Sequence, residues 1–166
     1  MKRVLLTGMS GTGKSSVIAE LAARGYKAVD TDEDGLSELV RVPDDEPTGL
    51  DPGQDWVWRE DRIRDLLSTA DAEVLFLGGC SPNQATFYPQ LDHIVLLTAP
   101  VAVIVERLAT RTNNPYGKRS EDIERTLELL PTVEPLLRRG ADHVVDTTAP
   151  LMDVVAEVLR LVGVRA

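Results

Sequence analysis

Residues 8–15, GMSGTGKS, carry the clearest chemical signal in the sequence. They fill the pattern G-x-x-x-x-G-K-[ST], in which glycines let the backbone turn so that its N–H groups point at phosphate oxygens. We predict that the Lys14 ammonium binds the β- and γ-phosphates of ATP and that the Ser15 hydroxyl binds Mg²⁺. The predicted nucleotide contacts span the loop and the residue after it: Gly8, Ser10, Gly11, Thr12, Gly13, Lys14, Ser15 and Ser16.

Two carboxylates mark the end of the predicted strand of residues 27–30. Asp30 and Asp32 stand one residue apart, at the edge of the sheet where the phosphates are expected. Either can hold Mg²⁺, directly or through water, and one can accept a proton from an attacking hydroxyl. The predicted strand of residues 73–77 runs into glycines without the terminal Asp that usually holds the metal. The sequence therefore predicts a metal site made of Ser15, Asp30 and Asp32.

The acceptor side of the site is predicted from glycines and tryptophans. Gly78 and Gly79 lie at the same edge, where they form either a simple strand-ending turn or, as we favour, a close approach of substrate to backbone. Residues 56–69 have helical spacing, which places Trp56 and Trp58 on different sides of a helix. One tryptophan is expected in the core and the other in the substrate cleft. Arg59 and Arg62 either bind substrate or pair with nearby acids.

Basic residues cluster within and just before residues 112–119, which connect two predicted helices. We interpret this segment as a lid, because phosphoryl transfer needs cations near the developing charge and the exclusion of water. The cluster comprises Arg107, Arg111, Lys118 and Arg119. The structural alternative is salt bridging to Glu106 or Glu121. We favour a catalytic role for Arg111, together with Lys118 or Arg119.

The elements that position these residues alternate along the chain. Short apolar runs predict five parallel strands at residues 3–7, 27–30, 73–77, 93–97 and 143–146. Helical spacing marks residues 16–24, 56–69, 100–109, 121–139 and 151–162. Strands that alternate with helices predict an α/β P-loop fold, with a five-stranded parallel sheet between two helical layers. Residues 42–53, rich in Pro, Gly and Asp, are predicted to be a loop within an insertion.

Composition limits the class of protein. A chain of 166 residues predicts one domain, and the lone Cys80 excludes an intrachain disulfide, as expected in a reducing cytoplasm. The formal net charge of −9 argues against nucleic acid as a partner. No signal peptide or long apolar span is visible, so no membrane association is expected. The predicted partner is a small-molecule acceptor, and the protein itself is expected to be a monomer or a homodimer.

Together these motifs resemble the small P-loop kinases of the shikimate kinase, gluconate kinase and adenylate kinase superfamily, over nearly the whole chain. Shikimate kinase is the most similar: its loop resembles residues 8–15, its Asp-x-Asp resembles residues 30–32, and its glycine motif resembles residues 78–80, with Cys80 for a third Gly. The resemblance implies a substrate-binding insertion at residues 31–72 and a lid at residues 111–120.

The resemblance also implies roles for single residues. Arg59 matches a substrate contact, and Arg111 matches an arginine that stacks on adenine. Lys118, with Arg119 adjacent, falls at the catalytic lid arginine, and Pro150 matches a residue beside the adenine ring. Val133 stands where shikimate kinases have a second carboxylate-binding arginine. A substrate with less negative charge than shikimate, such as a nucleoside or a sugar, is easier to reconcile with this difference.

The leading hypothesis is an ATP-dependent kinase that phosphorylates a hydroxyl of a small metabolite, either a nucleoside, a sugar or a shikimate-like molecule. A nucleoside monophosphate kinase is the second hypothesis. It ranks below the first because several arginines are needed to bind an acceptor phosphate, and only four are available in the insertion: Arg41, Arg59, Arg62 and Arg64. The third, of another class, is a nucleotide-binding regulatory ATPase that acts through a protein partner.

The paired carboxylates give a first test. We expect Asp32→Asn to lower turnover far more than Asp34→Asn, because Asp32 belongs to the pair at the sheet edge, whereas Asp34 is predicted to be a surface residue. Steady-state rates of ADP release measure the difference, and equal losses in the two variants would contradict the assignment.

Overall fold

The computed structural model describes residues 1–33, 35–112 and 114–165; Asp34, Asn113 and Ala166 lie outside them. The strands are β1 (Lys2–Thr7), β2 (Lys27–Asp30), β3 (Ser37–Arg41), β4 (Gln54–Trp58), β5 (Val74–Gly78), β6 (His93–Thr98) and β7 (His143–Asp146). The α-helices are α1 (Lys14–Ala23), α2 (Glu60–Ser68), α3 (Val101–Thr110), α4 (Ser120–Gly140) and α5 (Leu151–Leu161). None of the described helices is long and apolar enough to cross a membrane.

The central sheet has five parallel strands in the order β2-β5-β1-β6-β7. Side chains that alternate along β1 point to opposite faces of this sheet. Val4 and Leu6 pack against α1 and α5, whereas Leu5 packs against α2. All three are fully buried, because helices cover both faces. The predicted five-stranded parallel sheet between two helical layers is confirmed.

The predicted helix of residues 56–69 is wrong in its first turn. Residues 54–58 form β4, which pairs antiparallel with β3, and the helix begins only at Glu60. Bulky residues alternate in the sequence QDWVW with the period of a strand, and Glu60 and Asp61 then provide the acidic first turn that favours a helix start. Trp56 and Trp58 therefore share one face of a strand, not different sides of a helix.

The other element predictions agree with the structure to within one or two residues at each end. Residues 42–53 form the predicted loop, which here joins β3 to β4. The sequence analysis missed the hairpin of these two strands and a short 3₁₀ helix, Gln84–Gln90. Pro89 within this segment hides it from a search for α-helical spacing.

Packing inside the protein explains the two adjacent glycines at the end of β5, Gly78 and Gly79. A Cβ on Gly78 would lie 2.4 Å from Cγ1 of Ile18 on α1. On Gly79 it would lie 1.9 Å from Oγ1 of Thr31, which follows β2. The close approach of β2 and α1 to this turn therefore requires glycine, and a substrate role for the two residues stays a prediction.

We expect Gly79→Ala to destabilise the protein by about 1–3 kcal/mol, because Thr31 is fully buried and has little room to move. Chemical denaturation measures the change in free energy of unfolding. Gly49→Ala is the matched control: its Cβ would meet only the Tyr116 hydroxyl, at 3.7 Å. An equal effect in both variants would contradict the packing argument.

Candidate active site

The phosphate loop is held between the central strands and α1. Gly8 passes so close to β6 that a Cβ there would lie 2.5 Å from the Leu97 carbonyl oxygen. Gly13 has φ +97° and stands at the N-terminus of α1, where no described side chain caps the helix. The first N–H groups of α1 therefore lack a side-chain acceptor and point into the loop. This geometry can bind an anion such as phosphate.

The Lys14 side chain folds back over this loop. Its Nζ donates hydrogen bonds to the carbonyl oxygens of Gly8, at 2.7 Å, and Met9, at 2.9 Å. Burial lowers the pKa of the Lys14 ammonium, against the opposing effect of Cys80, Asp32 and Asp30. A phosphate bound in the loop would stabilise the charged form, so the structure places Lys14 where an anionic ligand can pair with it.

Two of the predicted metal ligands are in direct contact. The Ser15 hydroxyl donates a hydrogen bond of 2.7 Å to Oδ2 of Asp30, and Oδ1 of Asp30 accepts one of 3.0 Å from the backbone N–H of Asp32. Within the described chain, no three His, Cys, Asp or Glu side chains form a metal cage. Mg²⁺ usually keeps several waters and takes one or two carboxylates plus substrate phosphates. The donor set therefore fits Mg²⁺ bound together with a nucleotide.

The acceptor side combines β4 with the turn after β5. Trp58 is the core tryptophan, 2% exposed, whereas Trp56 is 38% exposed and donates from Nε1 to Oδ1 of Asp32 at 3.0 Å. Arg59 lies half-buried at the start of α2. Cys80 is also half-buried, and burial raises the pKa of its thiol. The predicted substrate-binding roles of these residues stay predictions.

The cations predicted in the lid are engaged by groups in the lid and in the two helices that flank it. Arg111 donates from Nε and Nη2 to the Tyr116 carbonyl, at 3.1 and 2.6 Å. Lys118 donates to the Ala109 carbonyl at 3.0 Å. Arg119 pairs with Asp122 at 2.9 Å. Catalytic roles for these cations therefore require a lid rearrangement, and they stay predictions.

A carboxylate of the loop between β3 and β4 also contacts the lid. Oδ1 of Asp51 lies 3.4 Å from Nη2 of Arg119 and 2.7 Å from Nη2 of Arg125. The structural alternative considered from sequence was salt bridging of these cations to Glu106 or Glu121, which are near in the chain. Asp51 could not be found in this way, because 68 residues separate this carboxylate from Arg119.

Arg107 is a fixed clamp and not the movable cation that the sequence analysis proposed. Its guanidinium donates to the hydroxyl and the carbonyl of Thr147, at 2.8 and 2.6 Å, and to the Gly11 carbonyl at 3.4 Å. The Thr147 hydroxyl in turn donates to the Thr12 carbonyl at 2.7 Å. The clamp ties the phosphate loop to the segment that leads to Pro150, which is exposed at the start of α5.

Comparison with known proteins identifies the family to which the chain belongs. A family model described as "AAA domain" matches residues 4–128. A shikimate kinase from Syntrophus aciditrophicus is 32% identical over 182 residues, which cover 96% of this chain and 90% of that protein. The chain therefore belongs to the AAA-domain family of P-loop proteins and, within it, to the small, shikimate kinase-like P-loop kinases.

Two further similarities bear on fold and class. The structure of shikimate kinase from Acinetobacter baumannii in complex with shikimate superposes with a TM-score of 0.63, covering 98% of this chain and 93% of that one. At 23% identity this likeness supports the fold alone. A protein named only "nucleotide-binding protein", from Acidiphilium cryptum, is 34% identical over 89% of this chain but only 44% of its own length.

The Arg107 clamp gives a testable consequence. We expect Arg107→Lys to weaken Mg·ATP binding by about tenfold. A lysine cannot bridge the two acceptors on Thr147 and also reach Gly11, so the phosphate loop is held less firmly in the variant. Titration calorimetry measures the change in Kd. Arg160→Lys is the control, since that arginine pairs only with Glu157 among the described residues, on the exposed side of α5. An unchanged Kd in Arg107→Lys would refute a role for the clamp.

Proposed function

We propose that the protein transfers the γ-phosphoryl group of Mg·ATP to a hydroxyl of a small, weakly charged metabolite. The observation that carries the proposal is the meeting of Lys14, the Ser15–Asp30 pair and Asp32 at one edge of the sheet. Such a site supplies a phosphate cradle, a metal ligand set and a proton acceptor. Phosphoryl transfer needs little more than this positioning and charge stabilisation.

The two carboxylates have different roles in this proposal. Asp30 is held by the Ser15 hydroxyl, so it belongs to the metal side of the site. Asp32 is exposed beyond the end of β2, so it orients the acceptor hydroxyl and takes its proton. Bound Mg²⁺ neutralises part of the charge on the phosphate oxygens. Lys14 exchanges its contacts with Gly8 and Met9 for the β- and γ-phosphates.

The lid completes the site by moving its cations. Arg111 and Lys118 exchange backbone carbonyls for the nucleotide, and Arg119 exchanges carboxylates for it. Because a backbone carbonyl carries no net charge and a carboxylate carries less charge than a triphosphate, the exchange favours closure when nucleotide binds. Closure also excludes water, which would otherwise compete with the acceptor hydroxyl.

The charge around the acceptor side favours a weakly charged substrate. Asp32, Glu33 and Glu38 are exposed on the segment that enters the hairpin. Val133 lies half-buried on α4, where the resemblance would place an arginine for a carboxylate. Of the two substrate-binding arginines that the resemblance implies, this chain therefore has only Arg59. A nucleoside or sugar hydroxyl needs no such pair, so we favour these over shikimate itself.

Two other functions remain as alternatives. A nucleoside monophosphate kinase needs free arginines for the acceptor phosphate, but Arg64 is paired with Glu60 at 3.1 Å. A nucleotide-binding regulatory ATPase is favoured by one observation, the similarity to a relative named only as a nucleotide-binding protein. The regulatory ATPase predicts nucleotide binding without any saturable small-molecule acceptor.

The deciding experiment measures ADP release from Mg·ATP with a panel of nucleosides, nucleoside monophosphates, sugars, shikimate and amino alcohols, against a blank without acceptor. We expect one class of neutral alcohol to raise the rate in a saturable way. Lys14→Ala should then lower that rate by about 100- to 1,000-fold with an unchanged melting temperature. If nucleotide binds but no acceptor stimulates release, the regulatory ATPase is favoured instead.

A further inference from the structure

The contact between Trp56 and Asp32 is not explained by nucleotide binding or by the fold. The indole Nε1–H of Trp56 donates to Oδ1 of Asp32 at 3.0 Å, and the two residues come from different elements, β4 and the turn after β2. Trp56 is only partly buried, so the core does not require its ring at this position. A large aromatic side chain therefore lies against the carboxylate to which we assign the acceptor proton.

The strand that carries this indole is fixed to the body of the protein. At Trp58, two residues further along β4, the backbone N–H donates to the side chains of Ser81 and Asn83, at 3.1 and 3.2 Å. The Asn83 side-chain N–H donates back to the Trp58 carbonyl at 2.9 Å. The buried Trp58 ring also packs against Phe87. These contacts hold the strand in place, so the position of the Trp56 indole N–H is fixed relative to Asp32.

The hydrogen bonds of the two carboxylates show what the indole does. Both oxygens of Asp30 are engaged, one by the Ser15 hydroxyl and the other by the backbone N–H of Asp32. At Asp32, the indole holds Oδ1, while Oδ2 has no hydrogen bond with the described residues. The contact fixes the rotation of the carboxylate and leaves one oxygen for a ligand.

We propose that Trp56 is a positioning residue for the acceptor: its indole N–H fixes Asp32 so that the free carboxylate oxygen faces the hydroxyl, and its ring forms a wall for the acceptor. The proposal rests on the proposed function, since it assumes that Asp32 meets an acceptor hydroxyl. It goes beyond that function by assigning orientation of the proton acceptor to a residue outside the phosphate loop and the lid.

The same wall limits the class of acceptor. Leu39 lies directly opposite Trp56 in the hairpin, so the two side chains share a face, and they are 55% and 38% exposed. Because the indole on this face reaches Asp32, the face borders the acceptor site. An acceptor that covers it presents an uncharged ring face beside its reacting hydroxyl, as the sugar ring of a nucleoside or a hexose does.

The contact is tested first without any acceptor. The chain has two tryptophans, so a ¹⁵N-labelled sample gives two indole N–H signals, and Trp56→Phe assigns them. We expect Asp32→Ala to shift the Trp56 signal and to leave that of Trp58 in place. Glu33→Ala, which removes a neighbouring exposed carboxylate, is the matched control and should move neither signal. An unmoved Trp56 signal in Asp32→Ala overturns the proposal.

Kinetics with the acceptor that the panel identifies then separate the two roles of the side chain. Trp56→Phe keeps an aromatic wall and loses the donor, so we expect kcat to fall by about tenfold with little change in the acceptor KM. Trp56→Gln keeps a donor and loses the ring, so the acceptor KM should rise by about tenfold while kcat falls less.

Three results would count against the proposal in different ways. A higher kcat/KM in Trp56→Phe would mean that the indole blocks Asp32 and does not position it. Equal losses of kcat in both variants, with a lower melting temperature, would mean a structural role only. If no acceptor stimulates turnover, the proposed function fails and the kinetic role of Trp56 fails with it, while the indole signals still report whether the contact exists.

Discussion

Gly8 runs against the end of β6 so closely that any side chain there would collide with the Leu97 carbonyl. This contact fixes where the phosphate loop lies, and the rest of the site follows from it. Since β1 is the central strand, the loop emerges between the ends of β5 and β6, and α1 starts directly over the sheet edge. Ser15 in the first turn of α1 then comes within 2.7 Å of Asp30 at the end of β2.

The nucleotide side could be predicted from sequence, because its parts are local. Glycine spacing fixes the loop, and aliphatic runs followed by helical spacing fix the strand and helix that carry it. The acceptor side could not be predicted in the same way. Residues 56–58 were assigned to a helix because helical spacing follows them, but they pair with β3, which is formed from residues 37–41. Such a pairing is not visible in a window of neighbouring residues.

Long-range polar contacts were the other part of the site that could not be predicted from the sequence. The motifs located Arg107 and Arg119 near the site, yet their partners, Thr147 and Asp51, lie far away in the chain. Only the folded topology shows that Arg107 is an internal clamp, whereas Arg119 pairs with carboxylates of α4 and of the loop between β3 and β4. The type and approximate place of these residues could therefore be predicted from sequence, but their partners could not.

The clamp of Arg107 on Thr147 has a further consequence for the energetics of the proposed function. It joins the loop at Gly11 and Thr12 to the segment after β7, so the protein itself holds this part of the loop in place. Under the proposed function, binding there would require little loss of conformational entropy. The entropic cost would fall on the lid, which would give up its own contacts to close. Affinity for the phosphates and the rate of lid closure would then be set by separate parts of the chain, and each could change in evolution without the other.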